Sequence, residues 1–394
     1  MKGPVAIAAT AGVVGLVVAA APARAQENKF DLSLAIVETY DTNVLRLGEQ
    51  RTNQPTDNLQ IGPQVTLDYS RRLSRQRIFA NGYAGYFWNN RFEFLNRQDI
   101  ALTGGADLRV GPKCRATVTS SFFQAQSDLQ DLSTPVRNVA TTQDYAIDAS
   151  CPRPAGFFPV ASASYFQVDN ERRVERNQDI VDGRFGIGYS RPSLGTAQLF
   201  GAISTIRRER DIPTPQGLIR DVTKVRSVGL RVERDVGTRI RASGEIAYTS
   251  ADPASPQASS FEGVTYAVNA SYTPISRFVL SAGVDRTISA RGNLGTSYVI
   301  REQANMGARL TVSRRTSFGA RVLVAQRDYQ GEDPLFLPQP RGSDTQVTAQ
   351  ADVRYRIAQP ITLELSTRYF QRAAENDFYD YDSFATTLRA LLRI

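Results

Sequence analysis

The residues that could do chemistry here are charged and aromatic, and none is a histidine. With His absent from all 394 positions the commonest general base is missing, and neither a Gly-x-Ser-x-Gly elbow nor a metal-spaced cluster occurs. Barrel enzymes that work through a Ser/His pair are excluded on the same ground. What remains is electrostatics. Arg184, Arg231, Arg241, Arg301, Arg309, Arg321, Arg354, Arg368 and Arg389 recur on the polar side of alternating runs, with Asp107, Asp182, Glu245, Asp285, Asp352 and Glu364 among them. A second set is split between the two ends of the chain: Tyr40, Asp41 and Asn43 early, Tyr379, Asp380, Tyr381 and Asp382 late. Asp41, Asp380 and Asp382 carry the oxygen ligands that calcium takes; the plainer account has the tyrosines in an aromatic girdle and the Asp and Asn side chains capping turns. Cys114 and Cys151 are the only cysteines, too few for a zinc site without histidine. No cofactor is expected. Gly183 to Gly188, "GRFGIG", has the outline of a phosphate loop but sits inside an alternating run, where glycine relieves crowding.

The elements that must hold these residues are strands. Lys2, an apolar stretch from Val5 to Ala21 and the small-x-small ending Ala23-Arg24-Ala25 predict a secretory signal peptide over 1–25, a membrane anchor being the competing reading; residues 26–394 then form one exported domain. No later run is long and apolar enough for a spanning helix. Apolar residues instead alternate. Phe30, Leu32, Leu34 and Ile36 share a face opposite Asp31 and Ser33, and Val347, Ala349, Ala351, Val353 and Tyr355 share one opposite Thr348, Gln350, Asp352 and Arg354.

The breaks are as regular as the runs. Compact turns near 71–77, 111–113, 152–156, 191–196, 235–238, 273–277, 313–316 and 358–360 alternate with longer polar segments at 39–59, 90–98, 126–142, 169–178, 207–223, 250–260, 288–297, 327–344 and 371–381. Soluble sandwiches and propellers have no reason to alternate short and long connections over a whole chain. Outer-membrane barrels do, with short periplasmic turns and long outer loops. The expected fold is an all-β antiparallel transmembrane barrel of about 18 strands, 16 being possible, with outer-membrane lipid as its surroundings. The first strand then ends at the outer rim near Tyr40 and pairs with the last, bringing the two Tyr/Asp groups to one seam. If the strands opened by Cys114 and closed by Cys151 form a hairpin, both sulfurs lie at its periplasmic end within disulfide reach, in an oxidising compartment.

"YDTNV" after the first strand, with "YDYD" before the last, resembles the outer-membrane β-barrel porins associated with exopolysaccharide secretion in proteobacteria. That family's early pattern is closer to Tyr-Asp-Asp-Asn-Val-Phe-Arg; Thr42 stands here for the second acid and Leu45 for the aromatic before Arg46. The resemblance implies passage of polysaccharide, fed by periplasmic export components. The terminal strand, alternating from Phe384 to Ile394, resembles the signal read by the barrel-insertion machinery, where an aromatic last residue is commoner than isoleucine.

Basic residues scattered at strand period, rather than clustered, argue against nucleic acid. Removing Lys2 and Arg24 with the signal leaves the chain net positive. An arginine-bearing lumen would concentrate anions, acidic sugar polymers included; equally, Arg/acid pairs would brace the wall across neighbouring strands. Two functional classes stay open: a passive pore for polysaccharide or small solutes, or a structural or adhesive barrel with a blocked lumen. The segment 326–344, with Phe336 between Pro334 and Pro338, could fold inward as a constriction or project outward. No plug domain precedes the strands, which disfavours an energy-coupled transporter.

Overall fold

The computed structural model describes residues 28–48, 52, 54–127, 129, 136–214, 217–256, 258–289, 296–332 and 339–394; the expected signal peptide lies outside them. Eighteen strands follow one another: β1 (Asn28–Asp41), β2 (Asn58–Leu73), β3 (Gln76–Asn89), β4 (Arg97–Val110), β5 (Cys114–Gln126), β6 (Val139–Ser150), β7 (Gly156–Asn170), β8 (Gln178–Arg191), β9 (Gly195–Thr214), β10 (Gly217–Val236), β11 (Ile240–Pro253), β12 (Phe261–Ile275), β13 (Phe278–Ser289), β14 (Tyr298–Thr311), β15 (Thr316–Gln330), β16 (Ser343–Arg356), β17 (Ile361–Ala374) and β18 (Tyr381–Arg393). Each pairs antiparallel with its neighbours in sequence, and β1 pairs with both β2 and β18. The sheet therefore closes, and no strand edge is left for lipid to solvate.

Alternation decides which side chain faces which medium. Ile36, Phe185, Leu199, Val228 and Met306 stand out from the sheet as large exposed apolar groups, while their sequence neighbours point to the barrel axis. An unpaired charge on the lipid side costs about 2–4 kcal/mol near the bilayer midplane, so the pattern fixes the register as well as the face. Aromatic pairs lie near both rims of this belt: Tyr86 with Trp88 toward the outer end and Phe157 with Tyr189 toward the turn end, each at 5.0 Å between ring centres. Spanning needs only about 9–11 tilted residues. The strands are 12 to 20 residues long, so they project beyond the bilayer.

The tight connections, together with the start of β1 and the end of β18, share one end. Gly111 and Gly237 take positive φ there (64° and 60°), which a side chain would strain. Inside the barrel Gly188 lets the Phe158 ring lie flat on the wall: a Cβ at 188 would stand 2.4 Å from that ring. The glycines of "GRFGIG" are strand residues of β8, as expected.

One expected loop is not a loop. The polar run 207–223 is strand on either side of a two-residue connection, with β9 continuing to Thr214 and β10 beginning at Gly217. Part of its charge is met within the hairpin. A register shift between Arg220 and Val222 sets Asp221 against Arg208 and Arg210, and Ile206 and Ile212 are buried on the same inward face.

Candidate functional site

All nine arginines singled out from the sequence occupy inward positions of their strands, with outward apolar residues beside them in each case: Phe185 next to Arg184, Val232 next to Arg231, Ile240 next to Arg241, Leu310 next to Arg309, Val322 next to Arg321 and Leu388 next to Arg389. Arg301, Arg354 and Arg368 follow the same parity. Ion pairs include six of them. Glu245 receives Arg184 and, at 3.7 Å, Arg231, which also meets Glu233 at 2.8 Å. Glu364 receives Arg354 and, at 3.7 Å, Arg389. Arg241 reaches Asp235 at 3.0 Å, and Arg301 reaches Asp285 at 4.0 Å. The Arg184 guanidinium also lies 3.6 Å from the centre of the Phe200 ring. Arg309 and Arg321 form no ion pair among the described residues. Wall bracing and surplus positive charge thus coexist.

The surplus is not evenly spread. β14 to β18 are neighbours; Arg309, Arg321, Arg354 and Arg389 stand in the half of the barrel nearer the short turns, and Arg368 stands at mid-strand. Asp352 and Glu364 are the acids at inward positions of that same stretch of wall.

The seam brings the two Tyr/Asp groups together but deals them to different roles. Tyr40 faces outward and is exposed; Tyr379 and Tyr381 are buried inside the rim, so they lie away from the expected lipid girdle. Tyr381 stacks on Phe370 at 5.4 Å, and the Tyr379 hydroxyl donates to the Gln339 carbonyl at 2.6 Å. The Asp41 carboxylate accepts from Arg46 (2.8 Å), Ser383 (2.8 Å) and the Asn43 backbone N–H (2.9 Å). Asn43 in turn donates to the Leu47 and Asp382 carbonyls at 2.7 and 3.0 Å. Asp380 accepts from the Ala374 N–H at 2.6 Å, and the Asp382 side chain is exposed. These carboxylates do not converge, and among the described residues no group of three potential ligands could hold a metal ion. Cys114 and Cys151 are disulfide-bonded at the turn end, Cys151 following β6.

Sequence reasoning missed two features of the outer end. The first is a repeated asparagine clasp. Asn89 takes Asn96 Oδ1 on its backbone N–H at 2.6 Å, and Asn170 takes Asn177 Oδ1 at 2.7 Å, each closing a single 3₁₀ turn. Asn58 and Asn138 then bond the side chains of Asn89 and Asn170, both at 2.8 Å. The signal was visible as Asn-x6-Asn in "NNRFEFLN" and "NERRVERN".

The second is a buried ionic network over the inward side of the outer mouth. Asp344 accepts from Arg327 (2.6 and 2.7 Å), Arg372 (2.6 Å) and the Tyr329 hydroxyl (2.9 Å). Arg341, from the β15–β16 connection, pairs with Glu332 at 2.9 Å and lies 4.1 Å above the Tyr329 ring. Phe336, Pro334 and Pro338 lie outside the described residues, but both described ends of their segment return to the inward face. β12 and β13 part company above Tyr266 and Arg286, and the residues leading into β14 cross the inside of the wall: the Ser297 carbonyl accepts from Arg208 of β9 and Thr223 of β10.

With the geometry in hand, comparison places the chain. Residues 171–393 match the family described as "Putative beta-barrel porin 2". The chain belongs to that family. It is an outer-membrane porin-type barrel, a channel fold rather than an enzyme. Solved structures with similar barrels include OccK2 (OpdF) of Pseudomonas aeruginosa at 10% identity, covering 93% of this porin and 98% of that chain with a TM-score of 0.48. OccAB3 of Acinetobacter baumannii has 9% identity, 93% and 99% coverage and a TM-score of 0.46. OpdQ of Pseudomonas aeruginosa has 13% identity, 94% and 100% coverage and a TM-score of 0.45. No curated protein matches this porin.

Proposed function

We propose that this porin is a passive outer-membrane channel that favours anionic cargo, with acidic exopolysaccharide the preferred class. One observation carries the reading: the arginines that β14 to β18 contribute to a single stretch of inward wall outnumber the acids there, Asp352 and Glu364, so that wall carries more positive than negative side chains. An 18-strand closure is of the size at which barrels enclose an aqueous lumen. Nothing in the reading requires energy coupling; polymer would move down its own gradient, supplied by periplasmic export components.

A general small-solute porin shares this wall. A structural or adhesive barrel with a blocked lumen is favoured by a different observation, the buried network of Arg327, Arg341, Arg372 and Asp344 over the outer mouth. Single-channel conductance of the refolded protein in a planar bilayer separates these readings, with an acidic and a neutral polysaccharide of equal length titrated in turn. Steady conductance blocked preferentially by the acidic polymer supports the anionic channel. Equal block by both polymers supports the small-solute porin, and absence of conductance supports the blocked barrel.

A further inference from the structure

Charge in this barrel is sorted along its axis. Six of the eight short turns contain a basic residue: Arg75, Lys113, Arg153, Arg239, Arg277 and Arg314. The other two are flanked by Arg191 and Arg356, and no turn contains an acid. Acidic connection residues, such as Glu93, Glu332, Glu375 and Asp377, all lie at the opposite end. The turn cations are exposed, and none of the six is in an ion pair among the described residues.

Two further details turn this ring toward the axis rather than toward lipid. Arg72 stands directly across from Arg77 in the β2–β3 register, where Asp107 meets Arg77 at 3.9 Å, and Arg109 stands directly across from Arg115 in the β4–β5 register, all four arginines at inward positions. Like charges directly opposed on one face of a sheet destabilise it. Arg109 and Arg115 have no ion pair among the described residues, and a polyanion at this mouth would supply their counter-charge. A lipid phosphate would approach from outside the wall, where Arg71, Arg191 and Arg234 are the basic strand residues at this end, fewer than the inward ones. The inward cations lead instead to the arginine wall of β14 to β18.

We propose that the short-turn mouth is a docking ring for a polyanion, in which carboxylates of an acidic polysaccharide are captured from the periplasm before they pass into the barrel. The inference rests on the reading of the barrel as an anion-favouring channel and adds the side from which cargo is loaded. Capture by many separate cations of one long polyanion is tolerant of sequence and strongly salt-dependent, as electrostatic capture at a charged mouth must be.

The test is binding, read by fluorescence anisotropy of a labelled polyuronate on the refolded protein in detergent, with labelled dextran of equal length as the neutral control. A turn variant carrying Lys113→Gln, Arg153→Gln, Arg277→Gln and Arg314→Gln is compared with a loop variant carrying Arg91→Gln, Arg172→Gln and Arg220→Gln. We expect the turn variant to lose about tenfold or more in affinity, the scale of removing several cations that face an anionic surface, and the loop variant to stay near the parent. The β-sheet circular dichroism of both variants should match the parent, which reports that they have folded. Equal losses in both variants, or equal binding of dextran, overturn the ring. So does binding that vanishes in nanodiscs containing phosphatidylglycerol but persists in phosphatidylcholine, because lipid phosphate would then own the turn cations. A parent that binds through its turns yet conducts nothing overturns the channel reading and leaves the ring standing.

Discussion

Replacing Asp344 by asparagine keeps the side chain's shape and removes its charge. In the folded barrel that carboxylate accepts four hydrogen bonds, two from Arg327, one from Arg372 and one from Tyr329, and the Asp344 and Arg372 side chains are wholly unexposed. Deleting one partner of a buried ion pair costs about 3–5 kcal/mol, because the remaining charge stays desolvated without its counter-ion. Arg327 keeps 11% of its side-chain exposure and can recover some hydration, which places the expected loss near the lower bound, about 3 kcal/mol. The assay is reversible urea unfolding in lipid vesicles, followed through Trp88, the single tryptophan, which faces outward from β3 and leaves lipid on unfolding. Asp382→Asn serves as the control, since that side chain is exposed, and should change stability by less than about 0.5 kcal/mol. A shift below about 1 kcal/mol for Asp344→Asn would refute the reasoning: the outer mouth would then be hydrated, or its network would open without cost to the barrel.

Reduction of the Cys114–Cys151 disulfide should slow the gel mobility of the unfolded chain, and its loss in Cys151→Ser should destabilise the barrel by about 4 kcal/mol on a chain-entropy reckoning for a separation of 37 residues; unchanged mobility on reduction would rule the bond out. Asn177→Ala removes the acceptor of the buried Asn170 N–H, so the 171–177 connection should open about 1–3 kcal/mol more easily and be cut faster in limited proteolysis, with the global unfolding midpoint little changed. Gly188→Val sets carbon atoms into the Phe158 ring and should cost about 1–3 kcal/mol, recovered in part by Phe158→Ala in a double-mutant cycle. Arg309→Glu with Arg321→Glu should move the reversal potential in a salt gradient toward cation preference; an unmoved potential would show that these two side chains do not line the conducting path.

Strand number, strand order and the facing of side chains were legible in the chain because each rests on local periodicity. A period of two against a lipid medium admits one register, and Phe30 to Ile36 or Val347 to Tyr355 state it without help from the rest of the molecule. The nine inward arginines follow from the same rule. The outer end was read less well because there the medium is water, which imposes no alternation. Residues 207–223 have the composition of a solvated loop, yet Asp221 pairs with both Arg208 and Arg210 where the strands continue. Tyr40 and Tyr379 look alike in sequence, and only the closure of β1 on β18 sends one to the outer surface and the other beneath Gln339.

The sequence by itself therefore determined an exported, closed antiparallel barrel with a basic inward face, since membrane thickness and strand pleat are one-dimensional constraints that each segment meets alone. Tertiary structure alone decided which charges meet: that Glu364 is shared by Arg354 and Arg389, that Asp344 binds arginines from β15 and β17, and that Asp41 accepts from Arg46 and Ser383. Those pairings depend on distances between strands far apart in the chain, and no periodicity encodes a distance.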